Sequence, residues 1–480
     1  MHKNSFQDQF ERQRRHLPQV KASTANMRIK KLQALRTAIQ SQRFALYEAL
    51  KRDLGKSSSE VELTEYLPTL TELSFAIRHL KSWMRPQPVP SPLTLFLSRS
   101  EIRYEPKGQV LIIGPWNYPF YLIMAPLISA IAAGNCAVVK PSEVSPFTSQ
   151  FLKKLIFDLF SVGLFSVGLF NEEEVSCIEG DHLVAQELLK LPFDHIFFTG
   201  SSHVGKVVLE AAAKHLTSVT LELGGKSPVI IDISAHLKRT AKHLVWGKFM
   251  NAGQTCVAPD YVLVPEALLP KLIAEISYWL KEFYGAEEEQ RSRSEAFSRI
   301  INTHHHERLK ALLSASTEAG ARIIAGGQWI DSERYIAPTV LTCVTPDSPL
   351  MKEEIFGPLL PLLTYRTLNE AYEIIERHEK PLALYIFSEY PSRVEEIIKR
   401  TNAGGTSVNT TLLHLSNPHL PFGGTGPSGM GNYHGFFGFK TFSHERAVLR
   451  QGAVSALEMI FPPYKNWVRQ LIRVIAHWFT

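Results

Sequence analysis

The sequence predicts an α/β protein built around a parallel sheet covered on both faces. Two observations carry that prediction. The runs 110–113 (VLII), 137–139 (AVV), 195–198 (HIFF) and 229–231 (VII) are almost continuously apolar, and segments of helical length separate them. The runs are also followed by turn residues, as in Lys140-Pro141 and Thr199-Gly200. Parallel sheets bind ligands beyond the carboxyl ends of their strands, which is where functional residues are expected.

The elements before the sheet follow from periodicity. Residues 20–53 (Met27, Leu32, Leu35, Ile39, Leu46, Leu50) and 61–84 (Leu63, Leu67, Leu70, Leu73, Ile77, Leu80) repeat apolar side chains at helical spacing, predicting two amphipathic helices. Prolines 86, 88, 90 and 92 end the second helix and make an extended link. Residues 94–97 and 101–104, with a polar turn between, predict a hairpin. The five-residue run SVGLF occurs twice in tandem at 161–170, and is read as a duplication within a surface loop.

Composition excludes several classes. The chain has 480 residues, 45% hydrophobic and 20% charged, enough for an ample core and about three domains at roughly 150 residues each. A net charge of +6, from 52 basic and 46 acidic residues, gives no reason to expect a nucleic-acid partner. Cys136, Cys177, Cys256 and Cys343 are too dispersed for a disulfide framework or a zinc site, so a reducing cytoplasm is the expected compartment. The first residues (MHKNSFQDQFERQRRHLPQ) have no apolar core and are not read as a secretory signal. No apolar run reaches the roughly 20 residues of a spanning helix. His304-His305-His306 makes a poor chelate because adjacent helical residues diverge, and no metal is expected.

Cys256 closes the run Gly253-Gln254-Thr255-Cys256, and Glu222 opens Glu222-Leu223-Gly224-Gly225-Lys226. A thiol nucleophile and a carboxylate base are the two parts needed to make and then hydrolyse a thioester. Asn117, between Pro115 and Pro119, can donate an amide N–H to a developing oxyanion. Gly200-Ser201-Ser202-His203-Val204-Gly205 lies between a strand and a helix, where backbone N–H groups can face a pyrophosphate. Lys140 and Glu143 end another strand and are placed to hold ribose hydroxyls.

These runs together resemble the aldehyde dehydrogenase superfamily, most closely its class 3 branch of fatty and aromatic aldehyde dehydrogenases. The resemblance rests on IIGPWNYPF (112–120), KPSE (140–143), FFTGSSHVGK (197–206), VTLELGGKSP (219–228), WGKFMNAGQTCVAPDY (246–261), EEIFGP (353–358) and LPFGGTGPSGMGNYHG (420–435). It implies a Rossmann-like NAD(P)-binding domain (1–85 and 105–222) and an α/β catalytic domain (223–403). It further implies a small β oligomerisation arm with bridging segments (86–104 and 404–450) and a tail (451–480). By the same resemblance, Cys256 is the nucleophile, Glu222 the general base, and Asn117 with the Cys256 N–H the oxyanion site. Lys140 and Glu143 contact the adenosine ribose, Gly200, Ser201 and Gly205 form the cofactor turn, and Glu354 and Phe356 clamp the nicotinamide ribose. NAD is the expected cofactor, with NADP also accepted, because Glu143 would repel a 2′-phosphate. The implied reaction oxidises an aldehyde, medium- or long-chain or aromatic, to a carboxylic acid through a thiohemiacetal and a thioester, in a homodimer. The duplicated SVGLF has no place in the family pattern.

Two alternatives stand beside this reading: a CoA-acylating dehydrogenase, against which Glu222 argues, and a catalytically silent scaffold. In the tail, Trp467, Leu471, Val474, Ile475 and Trp478 recur at helical spacing while Arg469, Arg473 and His477 line another face. Such a basic amphipathic helix packs on the protein itself, or touches a membrane or gates a tunnel.

Overall fold

The computed structural model describes residues 4–92, 95, 97–160, 169–452, 458 and 460–478. Its centre is two sheets. The six-stranded sheet has the order Gly429–Met430, Ser218–Glu222, His195–Thr199, Gln109–Ile113, Cys136–Lys140, Val175–Cys177. All pairs are parallel except the one made by Gly429–Met430. From Gln109–Ile113 the chain runs outward through the next two strands, then crosses back to its other side at His195–Thr199. That reversal opens a crevice at the carboxyl ends of the strands. Every residue of Gln109–Ile113, Cys136–Lys140 and His195–Thr199 is buried, which is why these runs read as continuous rather than alternating.

The seven-stranded sheet has the order Arg322–Ala325, Thr339–Thr342, Leu359–Tyr365, Tyr261–Pro265, Pro228–Ile231, Ala383–Phe387, Gly405–Val408. It is parallel apart from its first pair. Residues 223–227 carry the chain from the end of Ser218–Glu222 in one sheet to Pro228–Ile231 in the other. Glu222 therefore sits where the two sheets meet.

Three segments depart from the sequence expectation. The polar N-terminus is itself a helix, Asn4–Lys21, whose Phe10 is buried against Phe193. Residues 20–53 form two helices, Ala25–Ser41 and Arg43–Leu54, because the chain breaks at Gln42. The hairpin is displaced: its first strand is Gln87–Val89, inside the proline-rich stretch, paired antiparallel to Ser98–Pro106. Gln87–Val89 is an edge strand, so Pro88 there forfeits no ladder donor. Thr94 and Phe96 of the expected strand lie outside the described residues. Ser98–Pro106 also pairs with Ser443–Gln451, giving a three-stranded arm. Residues 161–168 of the tandem repeat lie outside the described residues. Phe170, its last residue, packs on Phe160 with ring centroids 4.4 Å apart. Among the described residues no helix is long and apolar enough to cross a membrane.

Candidate active site

Cys256 follows a strained turn. Met250–Gly253 is a short 3-10 segment in which Asn251 and Ala252 have φ of 53° and 51° and Gly253 has φ of 75°. Left-handed backbone costs a non-glycine residue on the order of 1–2 kcal/mol and persists where its surroundings enforce it. Here Asn251 N–H donates to Glu60 at 2.7 Å, and the Asn251 amide donates to the carbonyls of Asn117 and Gln254 at 2.9 and 3.1 Å. The Gln254 amide donates to the carbonyls of Asn251 and Arg299 and accepts from Ile301 N–H, each at 3.0 Å. A Cβ on Gly253 would lie 2.2 Å from the Gly357 carbonyl oxygen, so the turn and residues 357–358 touch backbone to backbone.

Asn117 is on the loop leaving Gln109–Ile113. It is buried, and its amide donates to the Gln254 carbonyl at 3.1 Å. An amide nitrogen carries two protons, so this bond leaves a second donor for a ligand. Lys56 supports the loop from behind, donating to the Asn117 carbonyl at 3.0 Å and to Glu65 at 2.7 Å. Glu65 also accepts the N–H groups of Phe120 and Tyr121 at 3.1 and 2.9 Å. Lys56 and Glu65 are both fully buried, where an ion pair holds position more than it adds stability.

Glu222 is only 2% exposed, and neither of its carboxyl oxygens has a hydrogen-bond partner within the protein. Burial pushes its pKa well above the ordinary carboxylate range. An unpartnered buried acid is costly, and such groups concentrate at functional sites. Burial also pushes the Cys256 thiol up to about 12, and the nearby carboxyls of Glu354 and Glu222 add to the shift. The Cys256 thiol thus rests protonated at neutral pH, and Glu222 holds its proton more tightly than an ordinary carboxylic acid.

Glu354 stands across from them. A Cβ on Gly224 would fall 2.2 Å from its Oε2, so the absence of a side chain at 224 lets the carboxyl lie against the backbone. Burial raises Glu354 to about 8, and Asp260 contributes in the same direction. Lys226 fixes this loop: its ammonium pairs with Asp260 at 2.5 Å and donates to the carbonyls of Leu350 and Glu353 at 2.8 Å. Asp260 in turn accepts Ile355 N–H at 3.0 Å. Phe356 holds φ of 48° and packs edge-on against Trp116.

Two cavities share Cys256 and Leu122 in their walls. A crevice of about 480 Å³ at the strand ends is lined by Asn117, Gly200, Ser201, Glu222, Cys256, Glu354 and Phe356, among others. A second cavity of about 270 Å³ is lined mostly by apolar side chains, including Leu122, Trp246, Met250, Phe422 and again Cys256. Of the sequence-predicted residues, Asn117, Glu222, Cys256, Gly200, Ser201, Glu354 and Phe356 thus converge. Ser201 caps the helix Ser202–Ala213, accepting Val204 N–H at 3.3 Å, and leaves that helix N-terminus at the crevice. Gly205 is not on the crevice wall; a Cβ there would meet Leu223 at 2.8 Å, so it lets the helix pack on the strand-end loop. Lys140 is buried and pairs with Glu143 at 2.6 Å; neither is on the crevice wall, though both follow a strand of the same sheet.

Sequence reasoning missed the supports: Lys56, Glu60, Glu65 and the Lys226–Asp260 pair. It also set aside His305, which lines the crevice with Arg308 and packs on Trp116 at 4.9 Å. Burial lowers His305 to about 4, so it is neutral there. Its neighbour His306 points inward to the Tyr335 carbonyl at 3.1 Å, the divergence expected of adjacent helical residues. His305, His306 and Arg308 share the helix Thr303–Glu318, but which of them face the crevice depends on tertiary packing.

A model of the aldehyde dehydrogenase family matches residues 2–448. The 4,4'-diaponeurosporen-aldehyde dehydrogenase of Staphylococcus aureus is 46% identical over 441 residues, covering 92% of this chain and 93% of that protein. Aldehyde dehydrogenase family 3 member B2 of Mus musculus is 45% identical over 447 residues, covering 93% and 90%. Among solved structures, the substrate-bound state of Staphylococcus aureus AldH superposes with a TM-score of 0.92 at 42% identity, covering 98% of this chain and 99% of that one. The chain belongs to the aldehyde dehydrogenase family and is an NAD(P)-dependent enzyme that oxidises aldehydes to carboxylic acids.

Proposed function

We propose that Cys256 is the nucleophile, Glu222 the general base, and Asn117 with the Cys256 backbone N–H the oxyanion site, acting on medium- or long-chain aliphatic or aromatic aldehydes. The observation that carries this reading is that Cys256 belongs to the walls of both cavities, while Asn117 and Glu222 line the crevice beside it. The apolar cavity then holds the aldehyde's hydrocarbon, and the crevice holds NAD(P). The crevice fits a dinucleotide: it lies at the strand ends, carries a helix N-terminus at Ser201, and has carboxyls at Glu354 and Glu222.

The sulfur, once deprotonated, adds to the aldehyde carbon, and the free Asn117 amide proton and the Cys256 N–H receive the oxygen's developing charge. NAD(P), when bound, supplies the hydride acceptor that converts the thiohemiacetal to a thioester. Glu222 then takes a proton from water, which attacks the thioester and releases the acid and the thiol. Its raised pKa makes it a stronger base than an ordinary carboxylate once it has lost its proton. Glu354 and Phe356 hold the nicotinamide ribose, Gly200 and Ser201 form the pyrophosphate turn with Gly205 seating its helix behind them, and Lys140 and Glu143, at the end of a more distant strand of the same sheet, hold the adenosine ribose beyond the crevice wall. Glu143 disfavours a 2′-phosphate, so NAD is preferred over NADP.

The test is reduced-nicotinamide formation with a series of aldehydes and both cofactors. Turnover that survives Cys256→Ser, or that survives alkylation of that sulfur, removes the assignment.

We also propose a homodimer built on the three-stranded arm and a peripheral membrane contact through the tail. Ser443–Gln451 is the terminal strand of the arm, which supports sheet continuation into a second copy. In the helix Asn466–Trp478, Trp467, Ile472, Val474 and Ile475 are exposed, which supports an apolar contact beyond the chain's own surface. Sedimentation equilibrium tests the first. Truncation after Ile460, followed by vesicle co-sedimentation, tests the second: unchanged partitioning removes it.

A further inference from the structure

The apolar cavity at Cys256 does not end at its own walls. An outer cavity of about 180 Å³ adjoins it, and the two share Leu63, Pro68, Tyr121, Leu415 and Ser416. The outer cavity's walls include neither Cys256 nor Thr255, so a hydrocarbon chain in it reaches the sulfur by crossing that shared partition. Leu67, which lines only the outer cavity, is 45% exposed, and Leu63 in the partition is 62% exposed.

Tyr121 is the one aromatic side chain among the five partition residues, and it is tied at both ends. Its N–H donates to Glu65 at 2.9 Å, and its hydroxyl shares a hydrogen bond with His434 Nε2 at 3.2 Å. His434 is buried and stacks on Phe422 at 5.3 Å, with its other ring nitrogen 3.8 Å from Glu72. Glu72 also accepts Gly435 N–H at 3.1 Å, which secures the backbone where His434 holds φ of 79°. None of these three side chains is among those assigned above to the chemistry at sulfur.

We infer that Tyr121, latched by His434 and Glu72, is a specificity-determining partition that sets the length of aliphatic aldehyde the site accepts. The inference rests on reading the inner cavity as the aldehyde site. An aldehyde that fills the inner cavity stops against the phenol ring. A longer one reaches the outer cavity only by turning that ring aside and breaking its bond to His434. The inner cavity and the outer cavity are then two halves of one path, joined or divided by a single side chain.

The measurement is kcat/KM for hexanal and for hexadecanal, expressed as the long-to-short ratio. Tyr121→Ala joins the cavities and is expected to raise the ratio at least about tenfold. Tyr121→Trp enlarges the partition and is expected to lower it by about the same factor, so the proposal does not depend on either variant alone folding well. Tyr121→Phe keeps the ring but removes the latch, and a rise smaller than that of the alanine variant is expected. A ratio within about twofold of wild type in whichever of the alanine and tryptophan variants folds overturns the proposal. Failure of the underlying site assignment reads out separately, as hexanal turnover that persists in Cys256→Ser.

Discussion

The two cavities that meet at Cys256 are built from different materials. The crevice is walled largely by segments at strand ends, with Gly200, Ser201, Glu222 and Glu354, and by Arg308 from the helix Thr303–Glu318. The cavity proposed for the aldehyde is walled by side chains from helices and turns, among them Leu63, Trp246, Met250 and Phe422. Backbone geometry is fixed by the sheets, whereas side chains can be exchanged one at a time. The difference teaches that the reaction and the cofactor are written into the fold, while the choice of aldehyde is written into replaceable surface on one side of the sulfur.

The sharpest way to break this comparison is at Cys256, which lines both cavities. Cys256→Ser should lower kcat by on the order of 10⁴ or more with every aldehyde, since both cavities lose their common point. Glu222→Gln comes next: a loss of roughly 10²–10⁴ in kcat, with the acyl-enzyme accumulating and detectable by mass spectrometry. The same variant should be more stable than wild type near neutral pH. Below the ordinary carboxyl pKa of 4.5 the acid is protonated folded or unfolded, and glutamine is equivalent to it. Above that pH the unfolded chain releases a proton that the native state keeps, so wild-type stability falls as pH rises and the glutamine variant escapes the loss. We expect Tm to rise by about 2 °C or more at pH 7.5 and by little at pH 4, measured by scanning fluorimetry.

Asn117→Ala should cost about 10²–10³ in kcat, equally across aldehydes, because it removes the proposed oxyanion donor. Lys56→Met, behind the crevice, leaves Glu65 buried without its cation; about 3–5 kcal/mol of stability is at risk, read as a lower urea midpoint. On the other side of the sulfur, Trp246→Ala should change KM for long aldehydes by about tenfold with little change in the cofactor's KM. If Trp246→Ala instead weakened NAD(P) as much as aldehyde, the division of labour between the two cavities would not hold.

What was legible in the sequence follows the same division. The strands Gln109–Ile113 and His195–Thr199 were readable because full burial leaves an unbroken apolar signature. Cys256 and Glu222 were readable because glycines frame them: Gly253 lies too close to the Gly357 backbone for any Cβ, and Gly224 leaves room for the Glu354 carboxyl. The supports were not. Lys56 and Glu65 look like ordinary surface charges until the fold buries them. Tyr121 and His434 meet across 313 residues, a distance no local pattern bridges. Gln87–Val89 was hidden by its proline, which reads as a linker until its place at a sheet edge is known.

The backbone contact between Gly253 and Gly357 has one more consequence. A loop borrowed from a homologue to replace residues 353–358 would press directly on the turn that precedes Cys256. The two segments therefore have to be transplanted together, as one cassette, if an engineered hybrid is to keep its rate.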